Sequence, residues 1–431
     1  MTKNNSTRVI IIGAGFAGLN AAKQFGNKPN IHVTVLDKRN HHLFQPLLYQ
    51  VATAGLSAED IATPIRSILA RYQNINVVLG EVIEIDIKTN TVHTHTDQYA
   101  FDFLIVACGA GHSYFGHNEW QDYAPGMKSI EEAFKLRRNI LMAFENAEIE
   151  NDPEQIKKNL TFVVIGGGPT GVELAGSLQE MSRYTMSSDF RRIDSTKAQV
   201  ILLEAGAHLL PAFSKKQSYY AKLALEKLGV TVKLNSRVTN ITSEGVTLEH
   251  DFIATNQIIW AAGVAPSSTG KMLDTPLDKM GRVIVEKTLN LKDKKNIFVV
   301  GDQACCLGKN DRPLPGLAPV ALQAGTHAAK NILRTLNEQE MLPFQYFDKG
   351  QMATIGRAYA ITEFKKIKAQ GFFAWLMWLI IHIMYLIGFR NKLIVLTRWA
   401  WMYIMYSRGA RLIIGKKEEK NNSDPHANIT A

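Results

Sequence analysis

An α/β architecture built on two parallel-sheet units is predicted by three observations: two Gly-rich turns, an apolar strand leading into each, and an acid closing the strand after each. The turns are Gly13-Ala14-Gly15-Phe16-Ala17-Gly18 and Gly166-Gly167-Gly168-Pro169-Thr170-Gly171, about 150 residues apart in a chain of 431. Glycines at this spacing permit a tight strand-to-helix turn, let backbone N–H groups approach a pyrophosphate and allow helix to pack on strand. Both units are therefore Rossmann-like, and two of them predict two dinucleotides side by side and electron transfer between them.

The first turn follows Arg8-Val9-Ile10-Ile11-Ile12 and opens a helical run at 17–25. The next strand, Ile31-His32-Val33-Thr34-Val35-Leu36, ends in Asp37, whose carboxylate suits a ribose. Residues 40–53 have no clean period and read as a loop crossing a bound cofactor. Ser57 then reads as the N-cap of a helix over 58–70, with Glu59 and Asp60 where the helix dipole favours acids. Short strands are expected at 76–80, 82–87, 91–94 and 101–107, the last running into Cys108-Gly109-Ala110-Gly111, a turn back toward the nucleotide.

The second turn follows Leu160-Thr161-Phe162-Val163-Val164-Ile165, and the strand Gln199-Val200-Ile201-Leu202-Leu203 ends in Glu204. The polar, basic stretch 182–197 lengthens this unit and is read as extended helix and loop. A helix over 214–228, strands at 230–234 and 258–260, and Ala261-Ala262-Gly263-Val264 complete it. Asn296-Ile297-Phe298-Val299-Val300-Gly301-Asp302 is then a buried strand ending in Gly-Asp, followed by a helix over 319–336. This order inserts one unit in the other: 1–125 with 290–340 as the first domain, 126–289 as the second, 341–415 as a C-terminal region and 416–431 as a polar tail expected to be disordered.

The length suits two or three domains, and 46% apolar residues fit a globular chain. A net charge of +10 admits nucleic acid or an anionic membrane. Position decides between them. Residues 365–420 hold eleven Lys or Arg against two acids, beside the densest aromatic and aliphatic runs, and no zinc-finger or RNA-binding spacing occurs. The run from Phe372 to Phe389 is eighteen residues, roughly 27 Å as a helix and just short of a bilayer core. A second run, 393–406, contains Arg398 and is too short and charged to span comfortably. Basic residues lie before, between and after the runs, so in-plane helices are expected rather than a transmembrane pair. The polar stretch Met1 to Thr7 lacks a signal peptide's apolar core. Cys108, Cys305 and Cys306 make no disulfide framework. A cytosolic catalytic body on the cytoplasmic face of a membrane is expected, with no metal site and no nucleic-acid partner.

These motifs, together with residues 41–53, Ser113-Tyr114-Phe115-Gly116-His117 and Ala318-Pro319-Val320-Ala321-Leu322-Gln323-Ala324-Gly325, resemble the type II NADH:quinone oxidoreductases over nearly the whole chain. The resemblance implies a glutathione-reductase-like flavoprotein with membrane-associated amphipathic C-terminal helices, a non-covalent FAD, NADH as donor and a membrane quinone as acceptor, without proton pumping. It implies FAD contacts at Gly13, Gly15, Ala17, Gly18, Asp37, Lys38, Val82, Gly109, Gly301, Asp302, Pro319 and Val320. For NADH it implies Gly166, Gly168, Pro169, Thr170, Gly171, Glu173, Glu204, Ala262 and Gly263. Glu204 favours NADH over NADPH on its own chemistry, since a carboxylate repels a 2′-phosphate and Ala205-Gly206-Ala207 supplies no Arg. Glu173 and Gln323 are the catalytic candidates, and Pro46, Pro319 and Gln323 the quinone candidates. Two positions depart from the family: Pro319 stands where many members have Gln, and Cys108 where Thr is common. A homodimer is compatible with all of this. The alternatives are a sulfide:quinone oxidoreductase-like flavoenzyme, which would need cysteines brought to the flavin, and a membrane-bound NADH-binding redox sensor.

Overall fold

The strands adjoining the first turn are apolar on both faces, with Val9 and Ile11 fully buried on one side and Ile10 and Ile12 nearly so on the other. A strand buried on both faces belongs inside a parallel sheet covered by helices. The computed structural model, which describes residues 6–308, 311–365, 367–405 and 408–413, has that arrangement twice. The expected polar tail at 416–431 lies outside the described residues.

The first sheet runs Ile297–Val299, Phe103–Val106, Thr7–Ile12, Ile31–Asp37, Ile75–Leu79, all parallel. The second runs Thr231–Lys233, Gln199–Leu203, Thr161–Ile165, Gln257–Trp260, again all parallel. One edge strand of the first sheet, Ile297–Val299, thus comes from beyond the whole second sheet in sequence. The two halves are also tied by Ala110–His112 pairing antiparallel with Val264–Pro266. The Phe16–Gln24 and Ala318–Leu336 helices meet almost backbone to backbone: a Cβ on Gly325 would lie 2.0 Å from the Ala17 carbonyl oxygen.

Beyond them, Gln351–Thr354, Ala360–Phe364 and Ile367–Gly371 form an antiparallel sheet that feeds two helices, Phe372–Tyr385 and Phe389–Met405. The eighteen-residue apolar run is not one helix. Leu386 turns extended at φ −65° and ψ 137°, and Gly388 takes φ +88°, which breaks the helix after Tyr385. Among the described residues no helix is long and apolar enough to cross a membrane.

Two local expectations change, and a third, the extended helix and loop over 182–197, holds with a π-helical turn in it. Residues 40–53 are not a plain loop but a strand, His41–Leu43, a 3-10 turn, Gln45–Leu47, and a short helix, Leu48–Ala52, whose five residues are all buried. A helix buried on every side has no amphipathic period to read. The helix expected over 58–70 starts at Ser57 with a capping box to Asp60, but breaks into Ala58–Ile61, a strand Ala62–Pro64 and Ile65–Leu69. Pro64 lacks an N–H and pushes Thr63 out of the helical region. The helix after the second turn, Pro169–Glu180, continues only through a π-helical turn, Met181–Thr185, before irregular chain and a 3-10 turn, Ser195–Lys197.

Candidate functional site

The two Gly-rich turns are built alike. Gly13 and Gly166 take φ +94° and +114°, and a Cβ there would strike the Ala107 carbonyl oxygen at 2.5 Å or Ala261 C at 2.7 Å. Gly18 and Gly171 each leave 1.8 Å between an added Cβ and the carbonyl oxygen of the turn's first glycine, so only glycine lets the helix start this close to the strand. The acids close each turn in the same way. Asp37 accepts from Ala14 N at 2.6 Å and Arg39 N at 2.8 Å; Glu204 accepts from Gly167 N at 2.7 Å and Gly206 N at 2.6 Å.

The helix N-termini at the two Gly-rich turns and at Ala318 are open to anionic groups. The helices beginning at Phe16, Pro169 and Ala318 follow Gly15, Gly168 and Leu317, none of which caps with its side chain, whereas the Ile130–Ile149 and Pro153–Asn159 helices are capped by Ser129 and Asp152. Uncapped first-turn N–H groups and the helix dipole together favour phosphate or a developing negative charge. A Cβ built on Gly15 or Gly109 would meet no atom within 4 Å, leaving open space beside the first turn. Gly301, Asp302, Gly316 and Val320 line a further cavity of about 310 Å³. No donor among the described residues bonds the Asp302 carboxylate; burial raises its pKa, opposed by Lys128. An acid with no hydrogen-bond donor among the described residues, in a cavity flanked by Gly301 and Gly316 and beside an open turn and an uncapped helix, fits the hydroxyl-bearing and phosphate parts of a flavin dinucleotide.

A larger cavity, about 730 Å³, lies where the Pro169–Glu180 helix meets the C-terminal helices. Glu173, Ser177 and Glu180 follow the spacing of one helix face and line it together. Burial pushes the Glu173 carboxyl up to about 8, opposed by Thr354 N, 3.3 Å from Oε1, and by the buried Trp378 indole. Trp378 Nε1 has no partner at hydrogen-bonding geometry, so its pull on Glu173 is weaker than a formed bond. At neutral pH the carboxyl holds its proton. Across the cavity, Arg408 donates to Thr53 O at 2.7 Å and Ser177 O at 3.0 Å, and its guanidinium lies 3.8 Å from Glu180. His382, stacked on Trp378 with centroids 4.2 Å apart, is pushed down to about 4 by burial and stays neutral. Its Nδ1 lies 2.7 Å from Trp378 O, which assigns the ring proton to that nitrogen. The His382 ring also meets Phe44 edge-on at 6.1 Å.

The family model described as pyridine nucleotide-disulphide oxidoreductase matches residues 7–325. A type II NADH:quinone oxidoreductase of Mycobacterium tuberculosis is 44% identical over 418 residues, 93% of this chain and 89% of that protein. The chain belongs to the type II NADH:quinone oxidoreductases. Among solved structures, NDH2 of Plasmodium falciparum in complex with NADH has the same fold at TM-score 0.87 and 19% identity, covering 94% of this chain and 99% of that one. The sulfide:quinone oxidoreductase of Aquifex aeolicus is similar at TM-score 0.71 and 18% identity, covering 90% and 92%.

The thiols of this type II NADH:quinone oxidoreductase are poor sulfur carriers. All three cysteines are free, and burial pushes Cys108 up to about 12 and Cys306 up to about 11, far from thiolate at neutral pH. Asp37, Asp302 and Pro319 lie at the ends of first-sheet strands or at the start of the helix against it, and Glu204 with Gly166 to Gly171 at the second sheet. Val82 begins the strand Val82–Asp86, and Lys38 pairs with Glu81 at 3.5 Å on the surface. Gln323 is already engaged: its Nε2 donates to Phe347 O at 2.9 Å and its Oε1 accepts from Phe347 N at 3.0 Å. Residues that sequence reasoning did not single out complete the larger cavity: Tyr49, Gln50, Trp399 and Arg408. Tyr49 and Gln50 sat inside the stretch read as a loop, and Arg408 among cations read as a surface patch.

Proposed function

We propose that the chain oxidises NADH and reduces a membrane quinone by two electrons without pumping protons, with FAD in the first unit and NADH in the second. The observation that carries this reading is the buried Glu173, which lies on the helix that follows the second Gly-rich turn and faces the C-terminal helices across one cavity. The chemistry that FAD supplies when bound is two-electron uptake from NADH and delivery to the quinone. Gly13, Gly15, Ala17, Gly18, Asp37, Lys38, Val82, Gly109, Gly301, Asp302, Pro319 and Val320 are our assignment for holding it. We read 1–125 with 290–340 as its domain, 126–289 as that of NADH, and 341–415 as the quinone-access region.

Gly166, Gly168, Pro169, Thr170, Gly171, Ala262 and Gly263 are assigned to NADH, and Glu204 to its adenosine ribose. Glu173 holds a proton at neutral pH beside the cavity, where reduction of a quinone to its hydroquinone consumes two protons. Pro46, Pro319 and Gln323 remain the quinone candidates from the sequence. None of the three lines the cavity beside Glu173, and Gln323 spends its amide on Phe347, so we seat the quinone ring in that cavity rather than against these candidates.

The exposed apolar side chains of the C-terminal helices support a lipid surface as the occupant of that face. Phe373, Met384, Phe389 and Ile404 are 77%, 68%, 82% and 72% exposed. The exposed cation Arg390 adjoins Phe389, a pattern suited to anionic headgroups on the cytoplasmic leaflet. A second copy of the chain is the competing occupant, and a dimer that forms without lipid and excludes vesicles would favour it.

Purified flavoprotein mixed with NADH and a short-chain quinone tests the reading. Flavin bleaching by NADH and recovery on adding quinone are expected, with sulfide ineffective as donor. Bleaching by sulfide alone, or no recovery with quinone, would overturn it.

A further inference from the structure

Three buried side chains link a C-terminal helix to the larger cavity in a fixed order. Trp399, on the Phe389–Met405 helix, donates its Nε1–H to Gln50 Oε1 at 2.7 Å. Gln50 Nε2 then donates to the Tyr49 hydroxyl oxygen at 2.9 Å. All three are under 9% exposed, and all three line the cavity with Glu173 and Met402.

The direction of this chain is set by chemistry. An indole N–H can only donate, so it selects the carbonyl end of the Gln50 amide and turns the NH2 end toward Tyr49. The Tyr49 oxygen thereby accepts, and its own hydrogen must point elsewhere. No acceptor among the described residues bonds that O–H. Burial, with Glu173 and Glu180 adding to it, pushes the phenol well above its usual range, which keeps it protonated. A buried hydroxyl with a fixed acceptor side and a free donor side calls for an acceptor oxygen in the cavity.

We propose that Tyr49 gives a hydrogen bond to a carbonyl oxygen of the quinone bound in this cavity, and that Trp399 sets its direction through Gln50. The assignment rests on the cavity being the seat of the quinone ring. Tyr49 is then a residue that touches substrate, and Gln50 and Trp399 are positioning residues. Seating the C-terminal helix on the body also orients the donor.

Rapid mixing of the holoenzyme separates the two half-reactions. Tyr49→Phe and Trp399→Phe are expected to slow reoxidation of the reduced flavin by a short-chain quinone on the order of tenfold, the scale of one net hydrogen bond. Flavin reduction by NADH, and reoxidation by ferricyanide, which has no carbonyl, should stay within about twofold by the same reasoning. Met402→Trp, which fills part of the cavity, should raise the quinone KM without changing reduction by NADH. Normal quinone kinetics in Tyr49→Phe, with Met402→Trp impaired, would overturn the donor role while leaving the cavity assignment. Normal quinone kinetics in both would overturn the cavity assignment and the donor role with it. Equal losses with quinone and ferricyanide would make Tyr49 and Trp399 merely structural and would also overturn the proposal.

Discussion

Burial lifts the Glu173 carboxyl from an ordinary 4.5 to about 8, so the folded chain keeps a proton there that the unfolded chain releases. Folding is therefore penalised increasingly as pH rises from about 4.5 to about 8, and by a constant amount above that. Glu173→Gln removes the penalty: its melting temperature should gain on the parent between pH 5 and pH 8 (roughly the window in which linkage acts). A gap independent of pH would mean that Glu173 ionises normally in the fold. In turnover, the flavin-to-quinone step should slow as pH rises through about 8 in the parent and lose that dependence in Glu173→Gln. At Glu204 the expectation concerns specificity. Both carboxylate oxygens already accept backbone N–H groups, which fixes the side chain against the second Gly-rich turn where we assign the adenosine ribose. Glu204→Gln should raise the NADPH-to-NADH ratio of kcat/KM, and an unchanged ratio would remove Glu204 from the ribose site.

The C-terminal helices are joined to the body by side chains drawn from distant elements. Arg408 enters between Thr53 and the Pro169–Glu180 helix, the Arg357 guanidinium donates to the Met402 and Tyr403 carbonyls, and Arg398 lies 2.6 Å from Asp60. Arg408→Ala removes the guanidinium 3.8 Å from Glu180 and its bonds to Thr53 O and Ser177 O while Arg357 N still bonds Glu180, a loss of about 3 kcal/mol. Chemical denaturation should register that loss, whereas Arg390→Ala on the exposed surface should change stability little. The elements themselves were unevenly legible in the sequence. Both Gly-rich turns and their strands could be read because Gly13, Gly18, Gly166 and Gly171 are required by local sterics, and because the flanking strands are apolar throughout. Leu48–Ala52 could not, since its neighbours bury every face and erase the helical period. Pro64 breaks the helix that Ser57 starts, because a missing N–H and a clash with the preceding turn outweigh a good N-cap. Tyr49, Gln50 and Trp399 lie hundreds of residues apart at the extremes, and only tertiary packing brings Trp399 to Gln50.

At the scale of the whole molecule, charge and apolar exposure coincide on the C-terminal face. Binding to vesicles containing anionic lipid should weaken as salt rises, because the exposed cations are screened over about 10 Å at 0.1 M salt. Phe389→Glu should weaken it further at every salt concentration, and cosedimentation with vesicles measures both. Binding unchanged by salt and by Phe389→Glu would place lipid contact elsewhere. The edge strand Ile297–Val299 has a consequence for biogenesis. The chain emerges from the ribosome N-terminus first, so Thr7–Ile12 and its neighbours wait while about 190 further residues after Phe103–Val106 are made. The second sheet, whose strands all lie within 161–260, can close during that wait. The half made first is thus the half finished last, and its open edge is where a nascent chain most needs a chaperone.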